Sequence, residues 1–179
     1  MKQKSQNRFL AALLAVAMML QMLPMLAFAD DATGTGETYV AWNENKGNKG
    51  YTTLKEAVDE AKSGETIILG EGSYTLYKSG SKTSGKDLTF VGQGPDKTTW
   101  QIGPTVPNPK LFGTEYNSDY SFDGAGKITF KNMKLCTGKA DYLGFTRPDR
   151  TVVDHCEIYG KTFYWGYTSA VFTDTTFYA

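Results

Sequence analysis

Short runs in which apolar and polar residues alternate occupy most of the chain from residue 65 to the C-terminus. Gly, Pro, Asn and Asp, which favour turns, separate these runs from one another. Seven runs have the composition of strands: residues 65–69, 73–77, 87–91, 99–102, 127–135, 150–159 and 170–178. The polar stretches 78–86 and 104–109 are predicted to be exposed loops. The pattern therefore predicts a protein built mainly of β-strands.

A single amphipathic helix is predicted ahead of these runs, over residues 53–63. Thr53 and Glu56 have the spacing of a capping box, in which each side chain satisfies a backbone N–H group at the start of the helix. Four apolar residues recur with the spacing of one helix face: Leu54, Ala57, Val58 and Ala61. Gly64 is expected to end the helix, because glycine readily takes the positive φ found there.

Three of the strand runs repeat one another, at residues 130–135, 153–158 and 172–177. Each has an apolar first position, Asn, His or Asp at the third position and an apolar sixth position, and the copies start 23 and 19 residues apart. A repeat of about 20 residues with β-type composition indicates a solenoid whose coils bury their apolar positions against one another. Asn, Asp and His are enriched in left-handed backbone conformations. We therefore predict an all-β solenoid in which Asn132, His155 and Asp174 form a stack of structural turns.

The N-terminal 29 residues have the features of a secretory signal peptide. Basic residues precede an apolar run at 9–20, and residues 27–29 provide an A-x-A cleavage site. An uncleaved membrane anchor is the alternative interpretation, but Gln21 and Pro24 interrupt the apolar segment. We expect residues 1–29 to be removed on export and the mature chain to be secreted, with no transmembrane span of its own.

Charge and composition exclude several classes of protein. The chain carries 19 basic and 19 acidic residues, and its pI of about 6.6 is far from the strongly basic value expected of a nucleic-acid-binding protein. One His and two Cys cannot form a four-ligand Cys/His zinc site, and two Cys are too few for a disulfide scaffold. We therefore expect no nucleic-acid partner, no metal and no cofactor.

The two cysteines hold different positions in the repeat. Cys156 aligns with Met133, at an apolar position predicted to face the core, whereas Cys136 aligns with Tyr159. This offset separates the two sulfur atoms along the coil. We favour a buried free thiol at Cys156; the alternative is a disulfide to Cys136, which requires Cα atoms less than about 7 Å apart.

Residues 51–74 resemble the N-terminal cap and first coil of right-handed parallel β-helices of the pectin lyase-like superfamily. Such proteins open with a helix of the form S-x-Q-x-A-I-x-A-A, followed by G-D-T-I-x-L-x-x-G-x-Y. Six residues occupy matching places of the second pattern, Gly64, Thr66, Ile67, Leu69, Gly72 and Tyr74, and Glu65 replaces the usual Asp. The resemblance implies a right-handed parallel β-helix in which the amphipathic helix covers the apolar face and the unpaired edge of the first coil.

The mature chain is expected to form one domain of a longer protein. Its parts are a lead-in strand and loop at 30–50, with the strand at 39–42, and a β-helix at 51–179 with the capping helix at 53–63 and coils at 65–179. The last coil ends in an apolar run without the polar capping repeat that solenoids generally need. We expect the β-helix to be incomplete at the C-terminus and to belong to a longer surface protein with further domains.

The superfamily includes polysaccharide lyases, glycoside hydrolases, pectin methylesterases and non-enzymatic surface modules. Residues 151–155 are similar to the V-W-I-D-H motif of pectate lyases, with Val152 in place of the Trp. Residues 147–150 have the letters of the R-x-P-x-x-R motif that supplies the catalytic Arg of those enzymes, but at the wrong spacing and ahead of the D-H pair. Lys161 and Thr162 stand where a methylesterase has Gln and Asp. Because no catalytic set is matched, the catalytic residues stay unassigned.

Asp154 and Asp174 are the candidate carboxylates for glycosidase chemistry, which needs a carboxyl pair roughly 5 to 9.5 Å apart. They fall in neighbouring coils but one position out of register, since Asp154 aligns with Lys131 and Thr173 whereas Asp174 is a turn residue. We therefore favour turn hydrogen bonding over catalysis for both carboxylates. For His155 we favour a structural role over that of a general base.

Large aromatic residues in the later coils are the candidates for ligand binding: Tyr142, Tyr164, Trp165 and Tyr167. Alternation along a strand turns Tyr164 to one face and Trp165 to the other. One interpretation is that these rings fill the core. The other is a flat platform on the side of the solenoid that stacks against sugar rings.

The sequence thus favours a secreted or cell-surface β-helix module with a non-catalytic role in carbohydrate binding or adhesion, as part of a bacterial surface protein. Its expected partner is a polysaccharide or a host-surface glycan. The alternative is a polysaccharide-degrading enzyme, of the pectate lyase or glycoside hydrolase kind, with its active site partly beyond residue 179. Calcium is expected as a cofactor only under that alternative.

Overall fold

The computed structural model describes residues 38–76, 82–101, 122–136, 143–164 and 168–178, with the backbone alone described at 143–146 and 161–164. The predicted signal peptide lies outside these residues, as does the predicted loop at 104–109.

The described part of the chain is mostly β-structure with one α-helix. The strands are β1 (Ala41–Asn43), β2 (Lys49–Tyr51), β3 (Glu65–Leu69), β4 (Gly72–Thr75), β5 (Leu88–Val91), β6 (Thr98–Gln101), β7 (Lys127–Lys131), β8 (Lys134–Cys136), β9 (Leu143–Thr146), β10 (Arg150–Asp154), β11 (Glu157–Tyr159), β12 (Lys161–Tyr164), β13 (Ser169–Thr173) and β14 (Thr176–Tyr178). The helix α1 spans Leu54–Glu60, and a 3-10 turn spans Glu44–Lys46.

Strands β3 to β14 form a parallel β-helix. The first sheet has the order β13-β10-β7-β5-β3-β1-β2, the second has the order β14-β11-β8-β6-β4, and a third pairs β12 with β9. From β3 onward the pairings within these sheets are parallel. Because β3, β5, β7, β10 and β13 each precede a strand of the second sheet, the chain crosses both sheets once per coil. The predicted all-β solenoid is confirmed.

The register of the later coils matches the repeat. Val153 on β10 lies beside Phe130 on β7 and Phe172 on β13, which are the first positions of the three copies. At the third positions the backbone is left-handed, with φ of 54° at Asn132, 51° at His155 and 44° at Asp174. Each of these residues turns the chain from the first sheet into the second. These turns divide the predicted runs 127–135, 150–159 and 170–178 into two strands each.

The core lies between the first and second sheets and is rich in aromatic rings. Four of them pack together with ring centroids 4.8 to 6.1 Å apart: Phe90, Trp100, Phe122 and Phe130. Trp100 and Leu135 are neighbours on β6 and β8, and both are fully buried. Alternation along each strand turns every second residue inward, so each coil contributes apolar side chains to a continuous core.

The lead-in differs from the prediction. The first strand covers Ala41–Asn43 rather than 39–42, and residues predicted as loop form β2, which pairs antiparallel with β1. Asn43 and Gly47 frame the intervening turn, since the Asn43 side chain accepts a hydrogen bond from Asn45 N and Gly47 has a φ of 64°. Strand β1 also pairs antiparallel with β3. The edge of the first coil in the first sheet is therefore covered by a strand, not by the helix.

Helix α1 is shorter than the predicted 53–63. Its N-cap is Thr53, whose hydroxyl accepts a hydrogen bond from Glu56 N at 3.2 Å. The Glu56 carboxylate accepts instead from the Thr52 hydroxyl at 3.1 Å, so the described contacts supply one half of the predicted capping box. The buried residues of helix α1 are Leu54, Ala57 and Val58, which belong to the predicted apolar stripe.

Both cysteines are free thiols. Cys156 is buried beside two backbone carbonyls, with its Sγ 3.3 Å from the oxygen of Asp154 and 3.6 Å from that of Phe130. Burial raises the pKa of the Cys156 thiol to about 11. The favoured interpretation, a buried free thiol, is confirmed, and no disulfide to Cys136 is formed.

Candidate functional site at the corner of the solenoid

The three residues with left-handed backbone conformation lie above one another on successive coils, at the corner between the first and second sheets. The amide of Asn132 donates to the carbonyl of Asp154 at 3.1 Å, and the amide of His155 donates to the carbonyl of Thr173 at 3.0 Å. These bonds continue the parallel ladders around the corner. Left-handed φ is accessible to Asn, His and Asp at low cost, which is why these residue types can occupy this position.

In the preceding coil, Gly92 contacts the first residue of the stack, Asn132. The Asn132 side chain donates from Nδ2 to the carbonyl oxygen of Gly92 at 3.1 Å. A Cβ atom added at Gly92 would lie 2.6 Å from the Asn132 carbonyl oxygen, so this close approach of two backbones requires glycine.

Asp154, at the end of β10, is held by three partners. Its carboxylate lies 2.7 Å from His155 Nδ1, accepts a hydrogen bond from the Thr173 hydroxyl at 2.9 Å and forms an ion pair with Lys131 at 3.2 Å. The hydrogen bond from His155, then that from Thr173 and the charge of Lys131, lower the pKa of the Asp154 carboxyl to about 2. Asp154 is therefore ionised at neutral pH.

His155 also faces the next coil. Its Nε2 lies 3.6 Å from Oδ2 of Asp174, and one ligand atom from each of Asp154, His155 and Asp174 lies within 4.8 Å of the others. The His155 and Asp174 side chains are 66% and 73% exposed. The fold thus brings two of the three predicted turn residues, His155 and Asp174, together with the candidate carboxylate Asp154. We call these three residues the corner cluster.

Asp154 of the corner cluster lacks the protonation state of a glycosidase general acid. A glycosidase needs one carboxyl group that stays protonated as the general acid, which requires a raised pKa. The lowered pKa of Asp154 is the opposite of this requirement. Asp154 also lies in register with Lys131 and Thr173, as the repeat predicts, while Asp174 occupies the turn. These positions favour the structural role over catalysis.

The arginines of residues 147–150 lie away from the corner cluster. Arg150 begins β10, four residues from Asp154, a separation of about 13 Å along an extended strand. Its guanidinium is 3.9 Å from a carboxylate oxygen of Asp87 and 3.7 Å from one of Asp149, and Arg147 is 3.9 Å from one of Asp123. These ion pairs hold the arginines at the far end of the strand.

The predicted aromatic platform falls largely outside the described residues. Tyr142, Trp165 and Tyr167 are not among them, and Tyr164 is described by its backbone alone, as the last residue of β12. In the third sheet, Phe163 lies in register with Phe145 and Tyr164 with Thr146. The platform stays a prediction.

The structure places a different pair of aromatic rings on the outer face of the second sheet. Tyr159 on β11 and Tyr178 on β14 are in register, with ring centroids 4.3 Å apart and planes at 8°. Lys134 Nζ lies 4.9 Å from the centre of the Tyr159 ring, and the Tyr159 hydroxyl donates to Glu157 at 2.8 Å. That hydrogen bond is the largest cause of a raised pKa at Tyr159. The spacing of 19 residues between repeat copies is the signal that would have found this pair.

The last coil exposes residues that occupy core positions in earlier coils. Phe172 and Phe177 are 38% and 60% exposed, whereas their neighbours Val153 and Ile158 are 0% and 2% exposed. The two phenylalanine rings lie 5.3 Å apart. The last described coil therefore carries an exposed apolar surface.

Comparison of the chain with protein-family models, curated proteins and solved structures found no match. The parallel β-helix therefore defines the class of this protein, and the resemblance of residues 51–74 to the pectin lyase-like superfamily gains no support from relatives. None of the helices in the described part of the chain has the length and apolar character needed to cross a membrane.

Proposed function

We propose that this chain is a secreted, non-catalytic β-helix module that binds a polysaccharide or a host-surface glycan through the outer face of the second sheet. The observation that carries the proposal is the stack of Tyr159 and Tyr178 beside Lys134 and Glu157. It combines aromatic rings, an amine and a carboxylate on one face. The rings can stack against a sugar ring, and the charged groups can form hydrogen bonds with its hydroxyls.

The geometry of the stack identifies the ring that is open to a ligand. Lys134 lies over the Tyr159 ring and Tyr178 stacks against it. Within the described part of the chain Tyr178 is 41% exposed, so its ring is the one that we propose contacts the ligand. The negative face of an aromatic ring attracts the C–H groups of a sugar, whose hydroxyls can then reach the charged side chains.

The remaining parts of the proposal come from the sequence. Export by the signal peptide at 1–29 would place the module outside the cell, as part of a longer bacterial surface protein. We assign the coils a right-handed winding, since nearly all parallel crossover connections have this hand. Helix α1, with its buried face of Leu54, Ala57 and Val58, would cap the first coil. The motif at 51–74 supports a pectin lyase-like relationship.

The second candidate is a polysaccharide-degrading enzyme, with calcium as cofactor and an active site completed beyond residue 179. The observation that favours it is the approach of two carboxylates and one imidazole in the corner cluster. The lowered pKa of Asp154 excludes this carboxyl as the general acid of a glycosidase near neutral pH, so a hydrolase would need another residue in that role.

Binding to immobilised polysaccharides and host glycans tests the proposal. Tyr178→Ala should weaken binding about tenfold, the ratio that corresponds to a loss of about 1.4 kcal/mol, whereas Tyr178→Phe should retain most of it. Thr176→Ala, on the same strand and outer face, is the matched control. Equal binding by Tyr178→Ala and the wild type would refute the proposed surface.

Two further measurements separate the remaining hypotheses. The double variant Tyr142→Ala with Tyr164→Ala tests the platform predicted from the sequence, which is abandoned if binding to every polysaccharide is unchanged. Formation of unsaturated products from polygalacturonate, with and without calcium, tests the enzyme. Turnover that disappears in Asp154→Asn would favour the enzyme over the binding module.

A further inference from the structure

The geometry points to a divalent transition-metal site in the corner cluster, in which His155 Nε2 and the Asp174 carboxylate bind the ion and Asp154 orients the imidazole. This inference does not depend on carbohydrate binding. It replaces the expectation, drawn from residue counts, that the chain binds no metal. The residue counts exclude a four-ligand Cys/His site, but they do not exclude a site with two ligands from neighbouring coils.

The contacts of Asp154 decide which nitrogen of His155 is available. The Asp154 carboxylate lies 2.7 Å from Nδ1, and a carboxylate oxygen at this distance is an acceptor for the N–H group of an imidazole. Nδ1 therefore carries the proton, and in the neutral imidazole the lone pair is on Nε2. A carboxylate that holds the distal N–H of a metal-binding histidine is the usual orienting partner in such sites.

The lone pair of Nε2 faces a second acceptor. Nε2 and Oδ2 of Asp174 are 3.6 Å apart, and when the imidazole is neutral and the carboxylate is ionised neither atom has a proton to donate to the other. A bridging cation turns this unfavourable contact into a favourable one. Metal–nitrogen and metal–oxygen bonds of about 2.0 to 2.2 Å at a tetrahedral angle separate the ligand atoms by about 3.4 Å, so a small rotation of the Asp174 side chain suffices.

The chemistry of the two ligands selects the kind of ion. Calcium and magnesium prefer oxygen ligands, whereas an imidazole nitrogen with a carboxylate suits zinc, nickel or copper. Lys131 neutralises Asp154, which leaves the charge of Asp174 to attract the ion. Since His155 and Asp174 are exposed, water can complete the coordination.

The parallel ladder holds the two ligands in place before the ion binds. His155 and Asp174 each occupy a left-handed turn, and the amide of His155 donates to Thr173, next to Asp174 in the following coil. The Thr173 hydroxyl also donates to Asp154 at 2.9 Å. A bound ion would therefore clamp strands β13 and β14 onto β10 and β11.

Zinc chloride titrated into the mature protein, without a histidine tag and with Cys136→Ser to remove the more accessible thiol, tests the site. His155 is the one histidine of the chain, so its imidazole nitrogen signals in an NMR spectrum report on the site alone. We expect one zinc ion per chain, a large shift of the Nε2 signal with the proton retained on Nδ1, and slower hydrogen exchange in β13. Calcium at the same concentration should leave the Nε2 signal in place.

Substitutions that keep the left-handed turns separate binding from folding. Asp174→Asn and His155→Asn place another residue suited to positive φ at each ligand position, and each should weaken zinc binding at least tenfold. Asp154→Asn should weaken it about 10- to 100-fold by freeing the imidazole. Asp96→Asn removes one exposed carboxylate elsewhere and should change nothing. A wild-type Nε2 signal that ignores zinc, or zinc binding by Asp174→Asn equal to that of the wild type, would overturn the assignment.

Discussion

Replacing Asn132 tests the physical basis of the stacked corner. Asn132 has a φ of 54°, and its Nδ2 donates to the Gly92 carbonyl at 3.1 Å. Asn132→Ala loses this hydrogen bond, worth about 1 kcal/mol, and puts a residue without a polar side chain in a conformation that costs it roughly 1 kcal/mol more. We therefore expect a loss of about 2 kcal/mol in the free energy of unfolding. Asn132→Gly also loses the hydrogen bond and adds the entropy cost of glycine, about 0.5 to 1 kcal/mol, but it removes a steric cost of about 1 to 2 kcal/mol, so it should be more stable than Asn132→Ala by up to about 1 kcal/mol.

Urea unfolding of the variants measures these differences, with Lys134 as the control position. Lys134 lies on β8, where the backbone is extended and glycine should be less stable than alanine by about 0.5 to 1 kcal/mol. The order of the two substitutions should therefore reverse between positions 132 and 134. Alanine more stable than glycine at both positions would show that Asn132 is not held in a left-handed turn, and would refute the reasoning.

Three further predictions concern the aromatic core, the charge of Asp154 and the exposed apolar residues of the last coil. Trp100→Ala should lower the free energy of unfolding by about 3 to 5 kcal/mol, because the indole is fully buried among aromatic rings; urea unfolding checks this. The pKa of Asp154 is lowered to about 2 in the folded state, so this residue stabilises the fold above about pH 4 and the stabilisation is lost as the pH falls towards 2. Asp154→Asn should therefore reduce the pH dependence of the free energy of unfolding in this range by about 1 kcal/mol after solvent screening. An unchanged pH dependence would contradict this prediction. Phe177→Thr should reduce self-association of the mature protein in sedimentation velocity, because the ring is exposed at a core position; equal association of the variant and the wild type would contradict this prediction.

The corner and the register of the later coils could be predicted because both depend on local properties of the sequence. The left-handed preference of Asn, His and Asp marks the turn, and the apolar positions on either side fix which residues face the core. The same alignment placed Cys156 inward with Met133, and both side chains are buried.

The lead-in and the tyrosine pair could not be predicted in the same way. Strand β1 lies between β2 and β3 in the first sheet, and its partner on β3 comes more than 20 residues later. Three residues carry too little periodicity to indicate such a partner. Tyr159 and Tyr178 each directly follow the six-residue repeat unit, in the place that Cys136 holds in the first copy, so the repeat brings them into register. The stacking of their rings depends on side-chain directions that the spacing does not fix. The contacts of the corner cluster depend on side-chain directions that spacing alone leaves open.

Hydrogen-bond couplings across the corner test the parallel β-helix most directly. In the isotope-labelled mature protein, NMR can detect coupling between an amide nitrogen and the carbonyl carbon that accepts its hydrogen bond. The account predicts coupling from Asn132 to Asp154 and from His155 to Thr173, one coil apart in each case. Coupling of either amide to the carbonyl of an antiparallel neighbour would contradict the stacked coils.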